Sequence, residues 1–443
     1  MYLAYSLLAL LVLVVVSPYF AYQAIRHRKY IGSLGQRLGY LPVSFNVDGE
    51  ESIWIHAVSV GEALTARALV EDLRTRYPRL RLFVSTTTMA GQQVARSLQH
   101  VDAVFYFPFD WAFIVRRTLG LVKPRLFVMM ETEIWPNLLH ACRKRGVKTV
   151  VINGRISSRS YPRYRLIRPF LRRVLADVDR FCMQSEESAR RLRDLGADPV
   201  RITMTGSLKF DSLENRSAIV HGKPRERVLR FFRVPSSRTV IVAGSTSRGE
   251  EAAVLNAYGR IKNTMPTALL VVAPRQPERF GEVERMAREA GHVTVRRSEL
   301  AIDAEPHADV VVLDSIGELA QLYQIATAVF VGGSLVDHGG HNILEPAMFG
   351  KPIVFGPHMG NFKEIADGFV ASGAAMQVGS GRELEEVLLT LVTDPVCRAR
   401  LGAAARALVE ANRGAKDKTL DTIAELLPPM RTGAVVRPFR LVH

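Results

Sequence analysis

The sequence predicts two α/β domains, each a doubly wound parallel sheet covered by helices, preceded by an apolar N-terminal helix. Three observations carry this expectation. Continuous apolar runs of strand length alternate with amphipathic segments from residue 50 onward. The same rhythm restarts near residue 238. The first 25 residues carry no charged side chain. Strands that are apolar throughout, separated by helices, belong to sheets buried on both faces.

The N-terminal stretch "MYLAYSLLALLVLVVVSPYFAYQAI" has the length of one membrane span, about 20 residues. "RHRKY" follows at once, and positive charge there places the rest of the chain in the cytoplasm. A cleaved signal peptide would carry its charge before the apolar run and a small-residue site after it; here the order is reversed. Residues 1–27 are therefore expected to be a single uncleaved anchor, spanning the bilayer or lying in it.

In the first domain, 28–212, the expected strands are "SIWIHAVS", "RLFVSTTT", "AVFYFPF", "RLFVMMETE", "TVVINGR" and "RFCMQS". Helical patterns such as "EALTARALVEDLRTRY" and "WPNLLHACRKRG" lie between them. A polar, basic segment, 213–237, reads as a linker. In the second domain, 238–425, the strands are "TVIVAGSTS", "ALLVVAPRQ", "VVVLDS", "AVFVGGSL" and "PIVFGP". Residues 426–443 form a tail. Ligands of such sheets bind beyond the carboxyl ends of the strands, so the two domains are expected to face each other across a cleft.

Bulk properties narrow the function. The 443 residues carry a formal net charge of +16, which points to an anionic partner: a membrane surface, a phosphorylated substrate or a nucleic acid. The three cysteines, Cys142, Cys182 and Cys397, are far apart and form neither a disulfide framework nor a zinc site. Neither GxGxxG nor GxxxxGK[ST] occurs, which argues against a dinucleotide enzyme and a P-loop ATPase.

The candidate site residues lie at strand ends. Two glycine pairs, Gly332–Gly333 and Gly339–Gly340, flank a polar turn before the helix "NILEPAMFG". Glycines let backbone approach a ligand, and free N–H groups at a helix start attract phosphate. His341 and Asn342 accompany them, and Glu345 is placed to accept ribose hydroxyls. Asp337, His338 and His341 do not have zinc-ligand spacing. Arg275 and Arg279 of "VAPRQPERF" offer forked donors to phosphate. Ser245 and Thr246 of "AGSTSRGEE" meet a phosphate or cap the following helix. Lys209 lies in "TGSLKFD", at the end of the first half.

Glu131 and Glu133 end a first-half strand in "METEIWPN", where two acids are costly unless paired or exposed to a cleft. Glu62 opens a helix after "IWIHAVSV"; locally it reads either as a dipole-matched helix-start residue or as a base. The run "RISSRSYPRYRLIRPFLRRVLADVDR" mixes Arg155, Arg159, Arg165, Arg168 and Arg172 with apolar residues. Beside an anchor it reads as a membrane-surface segment rather than a nucleic-acid groove.

The stretches "IWIHAVSVGE", "METEIWPN", "GSLKFD", "PRQPERF" and "FVGGSLVDHGGHNILEP" together closely resemble the 3-deoxy-D-manno-octulosonic acid (Kdo) transferases of Gram-negative lipopolysaccharide synthesis. They cover the chain from the anchor to about residue 365, in the family's order. The resemblance implies a GT-B glycosyltransferase that needs no metal or other cofactor. It implies a CMP-Kdo donor, a lipid A precursor (lipid IVA) as acceptor, and inverting transfer at the cytoplasmic face of the bacterial inner membrane. It makes Glu62 the general base, gives Glu131 and Glu133 a catalytic part, and makes Lys209 and Arg275 phosphate contacts. Asn342 and Glu345 map to its nucleotide loop. Ser247 and Arg248 stand where the family often has His and an acid. The alternative reading is a GT-B transferase or epimerase that uses another sugar nucleotide.

Overall fold

The computed structural model describes residues 31–211, 234–235, 237–301, 305–315 and 317–428, together with 2, 5–7, 9–11 and 15. The expected anchor over 1–27 and the linker over 213–237 thus fall largely outside the described residues, as does the tail beyond 428. Among the described residues, no helix is long and apolar enough to cross a membrane.

The chain divides into two compact units: Met1–Ser212 with Arg413–His443, and Leu213–Asn412. The first unit holds a seven-stranded parallel sheet in the order β3-β2-β1-β4-β5-β6-β7. Its strands are β1 Ser52–His56, β2 Arg81–Thr86, β3 Ala103–Tyr106, β4 Pro124–Met130, β5 Lys148–Gly154, β6 Arg180–Met183 and β7 Ile202–Met204. β1 pairs with β2 on one side and β4 on the other, His56 standing opposite Met129. The strand order reverses between β1 and β4, the switch point at which such sheets open a crevice. Alternate residues feed two cores. Ile53 and Ile55 pack on one face with Leu69, Leu73 and Val128. Trp54 packs on the other with Phe83, Phe105 and Phe127.

The C-terminal boundary differs from the sequence expectation. Helix Ala415–Leu426 belongs to the first unit, not the second. Ala415, Leu420, Ile423 and Leu427 enter the core around β1, β2 and β4. The buried Asp211 carboxylate accepts the N–H groups of Gly414 at 2.8 Å and Lys416 at 2.6 Å, fixing where the returning helix starts. An amphipathic pattern states that a helix buries one face; it does not state against which sheet.

The second unit has its own seven-stranded parallel sheet, in the order β10-β11-β9-β8-β12-β13-β14. Its strands are β8 Val240–Thr246, β9 Leu269–Pro274, β10 Thr294–Arg296, β11 Val310–Val312, β12 Ala328–Val331, β13 Ile353–Phe355 and β14 Met376–Gln377. The central strands are buried along their length, as two-sided cover requires. Here the switch point lies between β8 and β12, so the "GSTS" and "GGSL" loops leave the sheet side by side.

Candidate functional site

In the first unit, the loop after β1 and the loop after β4 meet at the switch point. Ser59 is the N-cap of helix Val60–Arg76, which puts Glu62 in its first turn. The Glu62 carboxylate accepts the Val58 N–H at 2.8 Å and the Ser59 hydroxyl at 3.0 Å. It therefore performs the helix-start function that local pattern suggested. It also carries a second property. Burial pushes its carboxyl up to about 7, against the lowering effect of the Val58 N–H, and the charges of Glu131 and Glu133 push the same way. A carboxylate balanced near neutrality suits a general base.

Glu131 sits in the left-handed backbone region, φ 56°, and its N–H bonds to Ile152 O at 2.9 Å. A β-carbon-bearing residue there is uncommon and strained, and such strain clusters at functional sites. Glu133 accepts the Trp135 indole N–H at 3.1 Å. Burial raises the Glu133 carboxyl, with Glu131 adding to the effect. The three acids named from sequence are thus brought together.

Lys209 lies in the short helix Leu208–Asp211, which packs against helix Val60–Arg76. The Leu208 N–H bonds to Asn153 Oδ1 at 3.0 Å, and Asn153 also has a positive φ, 54°.

In the second unit, Ser245 has φ 56°, and Thr246 is buried with its hydroxyl unpartnered. Neither caps the next helix, whose N-cap is Glu250. The Thr246 carbonyl accepts the Arg275 N–H at 2.9 Å, which ties the two loops together. The Arg275 side chain is exposed and is near enough to His341 to perturb it. Burial holds the His341 imidazole down at about 4, and Arg275 and His338 add to this, so the ring is neutral at physiological pH. Gly339 and Gly340 both have positive φ; a side chain at Gly340 would collide with Met359 Sδ at 2.3 Å. Asn342 donates to Glu345 at 3.2 Å and accepts the Leu344 N–H at 3.1 Å, so it both starts helix Leu344–Met348 and orients the acid.

Two sequence readings need correction. Arg279 is not available to a phosphate: it is buried, and its guanidinium forks onto Glu251 at 2.6 and 3.1 Å, with Glu282 at 3.2 Å. The N–H groups of the Gly332–Gly333 turn are not free either. The fully buried Glu250 carboxylate accepts those of Gly333, Ser334 and Leu335, and that of Ser247, at 2.7–2.9 Å. Arg275 is exposed in this region, while the Gly340 N–H is already spent on Gly333 O at 2.7 Å. Among the described residues, no cluster of His, Cys, Asp and Glu could hold a metal ion.

The arginines divide. Arg159, Arg165, Arg168 and Arg172 are exposed, and Leu166 and Ile167 are exposed beside them at 83% and 46%. Arg155 is set apart from them: it lines a small cavity with Glu131, Thr132 and Phe181. Sequence reasoning passed over His56, Glu250 and Asp211. Their partners come from distant segments; a polar residue ending or following a buried strand was the only available signal.

Comparison with known proteins identifies the family and the fold. Residues 32–212 match the family described as 3-deoxy-D-manno-octulosonic-acid transferase (kdotransferase), and residues 253–408 match glycosyl transferases group 1. The chain is 33% identical over 407 residues to the 3-deoxy-D-manno-octulosonic acid transferase of Haemophilus influenzae, covering 91% of this chain and 93% of the relative. It is 34% identical over 386 residues to the enzyme of the same name from Bordetella pertussis, covering 85% and 87%. The fold is similar to that of UDP-GlcNAc 2-epimerase from Neisseria meningitidis, with a TM-score of 0.57, 15% identity, and cover of 85% of this chain and 100% of that one.

Proposed function

This chain belongs to the family of 3-deoxy-D-manno-octulosonic acid transferases, and from that premise we propose that it moves Kdo from CMP-Kdo to a hydroxyl of a lipid A precursor with inversion. The observation that carries the mechanism is Glu62, a carboxylate pushed up to about 7 and set beside two further acids. It removes the proton of the acceptor hydroxyl as that oxygen attacks the anomeric carbon of Kdo. The glycosidic bond forms, the bond to the CMP phosphate breaks, and the electron pair leaves with CMP. Negative charge develops on the phosphate, where a cation and N–H donors stabilise the transition state more than the ground state. In the second unit the exposed Arg275 takes that role; the family resemblance gives Lys209 of the first unit a phosphate contact as well. His341 is neutral, chiefly because it is buried. Glu345, held by Asn342, accepts hydroxyls of the ribose.

The enzyme works on the cytoplasmic face of a bacterial inner membrane. The reading is supported by the exposed arginines and the exposed Leu166 and Ile167. The N-terminal segment belongs to the same face: Tyr2 donates to Asp177 at 2.6 Å, Tyr5 stacks on Phe170, and Leu7, Leu10, Leu11 and Val15 are exposed. An amphiphilic acceptor is then met at the bilayer surface.

The test is transfer from CMP-Kdo to a tetraacylated lipid A precursor, wild type beside Glu62→Gln, with product mass counting the sugars added. The expected result is turnover by wild type, and CMP binding without turnover by the variant. Near-normal turnover by the variant assigns the base elsewhere. No wild-type turnover, with binding of a different sugar nucleotide, overturns the donor.

A further inference from the structure

His56 ends β1 and is fully buried, yet its Nε2 has no hydrogen-bond partner. Its ring stacks on Phe107, centroids 3.8 Å apart, and meets Trp135 edge-on at 6.5 Å. The nearest acid is Glu133, whose Oε2 lies 3.9 Å from Nε2, about 1 Å beyond a hydrogen bond. The same oxygen already accepts the Trp135 N–H.

The hydroxyl of Ser85 favours one ring nitrogen as the carrier of the proton. Nδ1 lies 3.0 Å from Ser85 Oγ and 3.1 Å from Ser85 O. Ser85 O already accepts the Ala57 N–H at 2.9 Å. Ser85 Oγ accepts the Trp54 indole N–H at 2.8 Å, so its own proton needs an acceptor, and Nδ1 is in reach. The direction then runs from Trp54 to Ser85 to His56 Nδ1, which leaves the proton on Nε2, facing Glu133. The opposite tautomer would strand a buried hydroxyl proton and aim a lone pair at a carboxylate.

We propose that His56 is a positioning residue: its neutral Nε2–H, set by Ser85 and Trp54, turns the positive end of a dipole toward Glu133 from 3.9 Å and favours that acid's ionised form next to Glu62. The role rests on the function proposed above. A neutral donor suits it. It stabilises the Glu133 anion without adding a positive charge that would weaken the base. The groups facing this cluster are Glu131 and Glu133 around Glu62, with the Val58 N–H and Ser59 hydroxyl on it, and Tyr164 and Trp135 around Glu133. With His56 gone, Glu133 is protonated more readily, its repulsion of the Glu62 charge falls, and Glu62 becomes a weaker base.

The test has two arms. The first is nitrogen NMR of 15N-histidine-labelled protein, with the His56 signals identified by their loss in His56→Phe. A protonated Nε2 and bare Nδ1 that do not titrate between about pH 5 and 8 are expected; a protonated Nδ1 overturns the proposal. This arm needs no turnover, so it stands apart from the choice of donor and acceptor. The second is the pH profile of kcat/KM. His56→Phe keeps the ring's stacking surface, and is expected to lose about tenfold or more in kcat with KM little changed. Its acid limb should move to lower pH, and His56→Gln, which keeps an N–H, should recover most of the loss. If both variants lose activity equally with the limb unmoved, His56 only fills space.

Discussion

The carboxylate of Glu250 accepts the backbone N–H of Gly333 at 2.7 Å, inside a cradle that also takes in Ser247, Ser334 and Leu335. An acid from the start of one helix therefore occupies the anion position formed by the turn after β12. The glycine is needed there: its φ is +67°, and a β-carbon would meet the His341 ring at 2.8 Å. Gly333 O in turn accepts the Gly340 N–H at 2.7 Å, so the cradle is bonded to the loop that carries His341.

Glu250 should accordingly behave as a structural anion. Replacing it with Ala leaves buried N–H groups unpaired, at about 1–3 kcal/mol each. The expected outcome is a large drop in the urea midpoint of unfolding. Glu250→Gln keeps one carbonyl acceptor and should lose less.

Glu62 sets a pH dependence of opposite sense for activity and for stability. In its proposed role as base Glu62 must be ionised, so kcat/KM should rise with pH and level off above about 7. The folded state holds the Glu62 proton more tightly than its ordinary 4.5, so the stability from this group is full below that value and is lost as pH rises through about 7. Glu62→Gln should therefore melt higher than wild type near pH 8, with the gap closing toward pH 5, while kcat falls by about 10²–10⁴. Thermal melts across that range check the sign.

Arg275 and Arg279, four residues apart, should separate cleanly. Arg279→Ala leaves Glu251 buried without its fork and should cost about 3–5 kcal/mol of stability. Arg275→Ala should leave the melting temperature alone and weaken donor binding about tenfold or more, by the loss of a charge-assisted bond. Calorimetry with CMP and thermal melts on both variants distinguish the two roles.

The exposed arginine face should set membrane partition. Arg168→Glu with Arg172→Glu should reduce binding to vesicles containing anionic lipid, by about 1 kcal/mol for each arginine removed. Binding to neutral vesicles should change little, and added salt should shrink the difference. Co-sedimentation with the two vesicle types measures it.

Several elements were legible in the sequence because their signals are local. β4 and β9 are apolar runs bounded by turns, and both were named at nearly their observed bounds. Glu131 and Glu133 stood out as two acids ending a buried strand, whereas Glu62 reads locally as a helix-start residue or a base, and only the family resemblance decides for the base. The three-residue strands β7 and β10 and the two-residue β14 were missed, since so short a run carries no period.

The sequence alone determined the two α/β units and the strand ends at which the candidate residues gather. Periodicity and residue chemistry are properties of a few neighbouring positions, and they survive without a fold. Tertiary structure alone decided the partners. It sent helix Ala415–Leu426 back to the first sheet, closed Glu250 over the Gly333 turn, locked Arg279 onto Glu251 and turned His56 toward Glu133. Each of these pairs residues far apart in the chain. What a buried charge or an apolar face does depends on what the fold sets against it.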